Sequence, residues 1–229
     1  MFKLTSLILL IHVIGSSQDH PGSPQMQLEH YKTKPDPPVD KVYVLTGLDV
    51  LLDKKMDLIQ GKSVALVTNH TGIDKLGIPN YKHLANMKDI DLKVIFSPEH
   101  GLFGEAGAGE QVSYTEKDSG LPKVISLYGS MRKPTAEMLS GINLIIYDIQ
   151  DIGTRFYTYI TTLGLVMEVA GELDIPVLVL DRPNPIRGDI IEGPVLNLEF
   201  QSFVGYYPIS IRYGGTVGDL AKKIIKQNW

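Results

Sequence analysis

The stretch that decides the fold runs from residue 143 to residue 181 and reads NLIIYDIQDIGTRFYTYITTLGLVMEVAGELDIPVLVLD. It begins and ends with nearly continuous apolar runs, Asn143–Asp148 and Pro176–Asp181, which are typical of strands covered on both faces. Between them we predict a helix over Phe156–Ala170 with one buried stripe. The residues of that stripe recur at steps of three and four: Phe156, Ile160, Leu163, Met167 and Ala170. This order predicts parallel strands joined by a helix.

The same alternation continues on both sides of this unit. Three earlier apolar runs predict strands, namely Val64–Thr68, Leu92–Ser97 and Val124–Leu127. A short helix is predicted to begin at Pro134 and to end before Gly141. Near the end of the chain, Thr216 begins a capping-box pattern that predicts a helix with one apolar face. That face comprises Val217, Leu220, Ile224 and Ile225. Strands alternating with helices predict an α/β fold with a doubly wound, mostly parallel sheet.

The composition narrows the possible functions. The chain has 229 residues, of which 43% are hydrophobic, so it can build a real core. It contains no cysteine, which excludes thiol catalysis, disulfides and cysteine-bound metal clusters. Its net charge is −4 and it has no dense basic stripe, which argues against nucleic acid as a partner.

The first forty residues have the pattern of an export signal and a tether. Residues 1–17 carry one lysine, Lys3, then an apolar run from Leu4 to Ile14 and small residues at its end. We predict a cleaved signal peptide and a periplasmic or extracellular protein without stable membrane insertion; the alternative is an uncleaved anchor. Residues 18–41 hold five of the 14 prolines and predict an extended tether. A folded domain is predicted over residues 42–210, with residues 211–229 as a further region.

Polar residues follow four of the predicted strands at the point where each strand ends. In a parallel sheet these ends share one edge, and ligands bind in the crevice outside it, so we predict a site there. The alternative is that these residues only supply turn chemistry. The candidates are Asn69, His70, Glu99, His100, Asp148, Gln150, Asp151, Arg155, Tyr157, Asp181, Arg182 and Asn184.

Acid–base or metal chemistry fits these residue types. Glu99, Asp148 and Asp151 are carboxylates at strand ends, and glycoside hydrolysis generally needs two carboxyl groups about 5–10 Å apart. Each could equally be a solvated charge or a cap.

The two histidines and the arginines allow further alternatives. His70 and His100 are either structural residues or, with an aspartate, metal ligands. Arg155, Arg182 and Arg212 favour an anionic substrate, or internal ion pairs with Asp151 or Asp181.

A specific family resemblance rests on six segments in order. They are LVTNHTG, FSPEHGLFGEAGAGE, DIQDIGTRFYTYI, VLDRPNPI, EGPVL and SFVGYYPISIRYGGTVGDLA. Together they resemble the NamZ-type exo-β-N-acetylmuramidases, a family of bacterial glycoside hydrolases. The resemblance covers Leu45 to about Trp229. Two departures stand out: the family more often has Asp-Ala-Asp-Ala-Gly at residues 105–109 and a histidine in place of Tyr213.

The resemblance implies a Rossmann-like domain followed by a smaller second domain, of which this chain holds only the start. It implies release of N-acetylmuramic acid from the non-reducing end of peptidoglycan fragments, with muropeptides or disaccharides as partners and no cofactor. Glu99 matches the family's proposed catalytic glutamate, and the segments at 148–155 and 181–184 match its pocket lining. Two alternatives stay open: a non-catalytic muropeptide-binding domain, and a metal-dependent hydrolase that uses His70 and His100.

Overall fold

A computed structural model describes residues 8–11, 44–105, 107 and 121–229. The whole predicted tether, most of the predicted signal peptide and part of the glycine-rich stretch at 105–109 lie outside the described residues. The signal peptide, the tether and the domain boundaries therefore stay predictions. Across the described ranges, no helix is long and apolar enough to cross a membrane.

The centre of the fold is a parallel sheet. Within the described residues it has six strands in the order β1-β6-β5-β2-β3-β4, and every neighbouring pair is parallel. The strands are β1 (Ile8–Ile11), β2 (Ser63–Thr68), β3 (Asp91–Ser97), β4 (Lys123–Ser126), β5 (Leu144–Asp148) and β6 (Val177–Leu180). The five strands predicted from the sequence are confirmed to within one residue at each end. The edge strand β1 lies inside the predicted signal peptide and was not predicted as a strand.

Helices cover both faces of this sheet, which confirms the doubly wound α/β fold. Alternate residues of β2 point to opposite faces, so that Val64 and Leu66 belong to one buried cluster and Ala65 and Val67 to the other. The first cluster is closed by α1 (Gly47–Lys54) and α2 (Asn80–Ala85), and the second by α3 (Tyr159–Glu172) and α4 (Val217–Gln227). Two short 3₁₀ turns, Met56–Leu58 and Leu198–Phe200, lie between these elements.

The two longer predicted helices are present, with one error in the first. Helix α3 buries Ile160, Leu163, Met167 and Ala170 as predicted. The prediction was wrong for Phe156, which is 53% exposed because the helix begins three residues later, at Tyr159.

Helix α4 has the predicted capping box. The Thr216 side chain accepts a hydrogen bond from the backbone N–H of Asp219, and the Asp219 carboxylate accepts one from the backbone N–H of Thr216. The buried face of α4 packs into the same cluster as α3. Residues 217–227 therefore share a core with the sheet.

The short helix predicted from Pro134 to Gly141 is wrong. The segment forms turns instead, in which Ser140 N–H donates to Glu137 O and Ile142 N–H donates to Leu139 O. Both bonds run from residue i to residue i−3, the pattern of turns, whereas an α-helix needs consecutive bonds to residue i−4.

Candidate active site

The strand order brings the carboxyl ends of β6, β5, β2, β3 and β4 to one edge of the sheet. The loops that follow these five strands hold nearly all the residues predicted to form a site. These residues form two groups. One group is accessible to solvent, and the other is held by hydrogen bonds and ion pairs within the protein.

Glu99 belongs to the solvent-facing group. It is half-buried, two residues after the end of β3, and its Oε2 accepts a 2.9 Å hydrogen bond from the Thr158 hydroxyl. Thr158 is the N-cap of α3, but its side chain makes no cap bond to the helix and hydrogen-bonds to Glu99 instead. The N-terminus of a helix carries partial positive charge, which favours a carboxylate at this position. Strand β3 and helix α3 thus fix Glu99 together.

The chain turns sharply directly after Glu99. His100 and Gly101 both have left-handed backbone conformations, with φ of 69° and 76°. A left-handed conformation is uncommon for a residue other than glycine, and histidine is among the residue types that tolerate it best. This turn directs the chain away from the strand and leaves the Glu99 carboxylate at the edge of the sheet.

Tyrosine rings lie on the protein side of the Glu99 carboxylate. Hydrogen bonding to Glu99 raises the pKa of Tyr128. The rings of Tyr157 and Tyr159 meet edge to face with centroids 4.5 Å apart. Burial raises the pKa of Tyr159, and hydrogen bonding with Tyr157 raises it further. Tyr128 and Tyr157 are half-buried and combine apolar faces with hydroxyl groups, which suits a ligand that is apolar on one side and polar at its edges. Tyr159 is buried and supports Tyr157 from the core.

Asp148 is fully buried and is engaged on both oxygens. Arg182 Nε donates to Oδ1 at 2.6 Å, and both Arg182 Nη2 (3.2 Å) and Asn80 Nδ2 (2.8 Å) donate to Oδ2. Its side chain is 0% exposed and that of Arg182 is 5% exposed. The carboxylate therefore presents no surface to a substrate, in contrast to the catalytic role predicted for it.

Asp151 is also enclosed, with 4% of its surface exposed. Its Oδ2 accepts hydrogen bonds from the Tyr213 hydroxyl (2.5 Å) and from Gly153 N–H (2.6 Å). Burial raises the pKa of Asp151, and these hydrogen bonds oppose that effect. Within the described residues its Oδ1 has no hydrogen-bond partner. Asp151 thus joins the turn after β5 to the strand-like segment at Tyr213.

Asp181 anchors helix α4. Its oxygens accept from the Thr216 hydroxyl (2.5 Å) and from the backbone N–H groups of Gly218 (3.0 Å) and Arg182 (3.0 Å). Burial raises the pKa of Asp181. A carboxylate that accepts from the first turn of a helix stabilises the positive end of the helix.

The three predicted arginines are all used inside the protein. Arg182 pairs with Asp148, and Arg212 Nη1 donates to Glu192 at 2.8 Å. Arg155 Nη1 donates to the backbone carbonyls of Pro194 (2.8 Å) and Ile209 (2.6 Å). Internal ion pairing was one of the two alternatives, but the acids are Asp148 and Glu192 instead of Asp151 and Asp181.

The predicted amides connect neighbouring loops. Gln150 Nε2 donates to the carbonyls of Asp151 (2.7 Å) and Pro183 (2.9 Å). Asn184 Nδ2 donates to Gly215 O at 2.8 Å. The buried Asn69 accepts from both the N–H and the hydroxyl of Thr71. The Asn69 contact is the local turn chemistry that was the alternative to ligand binding, whereas Gln150 and Asn184 join residues 33 and 31 positions away.

The two histidines lie in different loops at this edge. His70 is exposed and its ring lies over Gly104, where any side chain would overlap the ring. His100 is half-buried next to Glu99. No group of three or more His, Asp or Glu side chains placed to hold a metal ion occurs among the described residues. The metal-dependent alternative therefore gains no geometrical support from this part of the chain.

Four residues connected to Glu99 were not predicted from the sequence. Tyr128 and Thr158 hydrogen-bond to Glu99, Phe203 lies next to Tyr128, and Arg132 lies over the Phe203 ring. Tyr128 and Arg132 follow β4, the fifth strand, where the rule applied to the other four strand ends would have found them. Thr158 is hidden within the predicted helix, and Phe203 lies far from any strand, so neither carries a local signal.

Comparison with known proteins identifies the family. The model of the family described as "Exo-beta-N-acetylmuramidase NamZ, N-terminal" matches residues 64–229. The chain belongs to this NamZ family. It is 47% identical over 188 residues to the peptidoglycan β-N-acetylmuramidase NamZ of Bacillus subtilis (strain 168), a match that covers 82% of this chain. The chain spans 45% of the length of that relative.

Two crystal structures of DUF1343 family proteins from Bacteroides fragilis NCTC 9343 have the same fold. One has a TM-score of 0.73 and 41% identity, covering 80% of this chain and 46% of its own. The other has a TM-score of 0.67 and 32% identity, covering 81% and 47%. The NamZ-family segment described here thus corresponds to about half of each of these proteins.

Proposed function

We propose that this chain carries the catalytic residue of a secreted exo-acting glycosidase that releases N-acetylmuramic acid from the non-reducing end of peptidoglycan fragments. The family match and the Bacillus relative, which is named a peptidoglycan β-N-acetylmuramidase, support the substrate class. The predicted signal peptide supports a location where such fragments occur. Muropeptides and disaccharides are the corresponding partners.

One observation supports the choice of Glu99 as the acid/base. Among the three carboxylates predicted to be catalytic, Glu99 is only half-buried, whereas Asp148 and Asp151 are enclosed. A general acid must reach the atom that it protonates, within hydrogen-bond distance or through one water molecule. Glu99 meets that requirement, and the other two carboxylates serve to position loops.

The proposed reaction uses Glu99 twice. The protonated carboxyl group donates its proton to the glycosidic oxygen as the bond from that oxygen to the anomeric carbon breaks. The resulting carboxylate then takes a proton from the water molecule that adds to the sugar. Thr158 donates to Oε2 and thereby orients the carboxyl group. Tyr128 and Tyr157 supply the surrounding wall, and the buried Tyr159 packs against Tyr157 from the core.

The test is to replace Glu99 with Gln, which keeps the size of the side chain but removes the acid. Release of N-acetylmuramic acid should fall by about 10²–10⁴-fold, the usual contribution of a general acid. Glu137→Gln is the matched control, because Glu137 is exposed and lies in the turns before β5. Retained turnover in Glu99→Gln, with both variants folded by circular dichroism, would refute the assignment.

The half-buried Glu99 and the Tyr128 beside it also suit a muropeptide-binding domain without turnover, which is the second function. Calorimetric titration with a muropeptide, combined with product analysis after long incubation, separates the two functions. Binding without product favours the binding domain, and product that depends on Glu99 favours the glycosidase.

A further inference from the structure

The described part of the chain has an arginine that is not committed to an internal carboxylate and lies near Tyr128, the hydrogen-bond partner of Glu99. Arg132 is exposed, in the loop after β4, and makes no ion pair with any acid that the structure describes. Its neighbour Lys133 is paired with Glu168 at 3.0 Å. Arg182 and Arg212 pair with Asp148 and Glu192, and Arg155 donates to backbone carbonyls. Arg132 is thus the guanidinium at this edge that is available to an anionic ligand.

The side chain of Arg132 is held against an aromatic ring. Its Cζ lies 4.8 Å from the centroid of the Phe203 ring, a distance typical of a cation–π contact. Phe203 is at the tip of a tight turn closed by two backbone hydrogen bonds between Ser202 and Gly205, of 2.9 and 3.1 Å. A cation–π contact restricts the guanidinium but uses none of its N–H donors in hydrogen bonds, so they stay available for a carboxylate.

Tyr128 connects this arginine to the proposed acid/base. The Tyr128 ring lies 6.2 Å from that of Phe203. Hydrogen bonding to Glu99 raises the pKa of Tyr128, and the positive charge of Arg132 opposes that rise. The Tyr128 side chain is thus close to both the Glu99 carboxylate and the Arg132 guanidinium, although these two are not ion-paired with each other.

We propose that Arg132 binds the carboxylate of the lactyl group of the N-acetylmuramoyl unit, with Phe203 and Tyr128 fixing the guanidinium. This inference rests on the proposed function, because it assigns the substrate's negative charge to a residue of that site. The lactyl group is an ether substituent of the same sugar whose glycosidic oxygen faces Glu99. The lactyl carboxylate and the oxygen that Glu99 protonates are therefore carried by one sugar ring. Arg132 makes the site selective for N-acetylmuramoyl over N-acetylglucosaminyl ends, which lack the charge.

The test compares two ligands that differ only in this charge. Wild type, Arg132→Ala, Arg132→Lys and the control Lys133→Ala are assayed on a chromogenic β-N-acetylmuramoyl glycoside and on its lactyl amide. Wild type and Lys133→Ala should prefer the carboxylate form. In Arg132→Ala the ratio of kcat/KM for carboxylate over amide should fall by about 10- to 100-fold, the range for one lost hydrogen-bonded charge contact. Arg132→Lys should recover part of the ratio, because lysine keeps the charge without the planar fork.

Binding gives a second readout that does not depend on turnover. Calorimetric titration of the same four proteins with N-acetylmuramic acid and with its lactyl amide should show the same loss of preference in Arg132→Ala. A preference that depends on Arg132 in proteins without turnover would refute the glycosidase and support the inference. A wild type without preference for the carboxylate, or an Arg132→Ala that keeps it, would overturn the inference whether or not the enzyme turns over.

Discussion

Replacing Asp148 with Asn should destabilise the protein strongly, even though the two side chains have nearly the same shape. Asp148 accepts two hydrogen bonds from Arg182 and one from Asn80, and it has no exposed surface. An asparagine can offer one of these two oxygen positions as an acceptor but must place an amide N–H₂ at the other, facing a donor. The positive charge of Arg182, which is 5% exposed, then has no negative partner.

The expected magnitude follows from the burial of this pair. Removing one partner from a buried ion pair leaves the other charge uncompensated and typically costs ~3–5 kcal/mol. The exposed pair Arg187–Asp189, with side chains 68% and 65% exposed, is the internal comparison. Asp189→Asn should cost at most about 1 kcal/mol, because exposed ion pairs contribute little.

Urea denaturation of both variants measures these free energies of unfolding. A third protein, Asp148→Leu combined with Arg182→Met, should recover part of the loss, because replacing both charges with apolar groups removes the uncompensated charge. Turnover is measured without urea, at a temperature at which each variant is folded. If Asp148→Asn kept wild-type stability within about 1 kcal/mol and lost its turnover, Asp148 would be catalytic and the reasoning would be wrong.

Three further predictions concern Asp151, Thr158 and Thr216. Burial raises the pKa of Asp151, so the folded state holds its proton more tightly than the unfolded state does. The stability of wild type relative to Asp151→Asn should therefore be greatest below the ordinary aspartate pKa, and this advantage should be lost as the pH rises through the raised pKa of the folded state. Denaturation at a series of pH values measures it, and a difference that does not change with pH would contradict the prediction. Thr158→Val should lower turnover with little change in stability, because its hydroxyl binds Glu99 and makes no cap bond. Thr216→Val should instead cost about 1–2 kcal/mol of stability with turnover per folded molecule unchanged, because it removes a helix cap. A loss of stability in Thr158→Val with normal turnover, or a loss of turnover in Thr216→Val with normal stability, would count against these roles.

The strands could be predicted because their signal is local. A nearly continuous apolar run flanked by turn residues is typical of a strand buried on both faces, and five such runs define the described sheet apart from β1. Helix α1 also carried a local signal, since Thr46 and Asp49 form a capping box, yet its short length hid it. The turns after Pro134 show the reverse error, because a proline and a glycine at helix-type positions enclose turns with bonds to residue i−3 and not an α-helix.

The roles of the site residues could not be predicted in the same way, because they depend on distant partners. Glu99 and Asp148 are both carboxylates at strand ends, and no local pattern distinguishes them. Asp148 is enclosed because Arg182, 34 positions away, and Asn80, 68 positions away, come to meet it. The sequence suggested an arginine for the substrate's charge, but the arginines it pointed to are used within the protein.

The order of the strands explains why the polar residues divide as they do. Strands β6, β5 and β2 lie side by side, and the residues at their ends face one another across the middle of the sheet. Their charges are therefore buried and must be paired, which produces the contact of Arg182 with Asp148 and of Asn80 with both Asp148 and Thr68. Strands β3 and β4 lie to one side, and the loops that follow them are open to the solvent at Glu99 and Arg132. The buried network thus holds the loops that present Thr158 to Glu99, and substitutions in it should change stability, whereas substitutions after β3 and β4 should change turnover and selectivity.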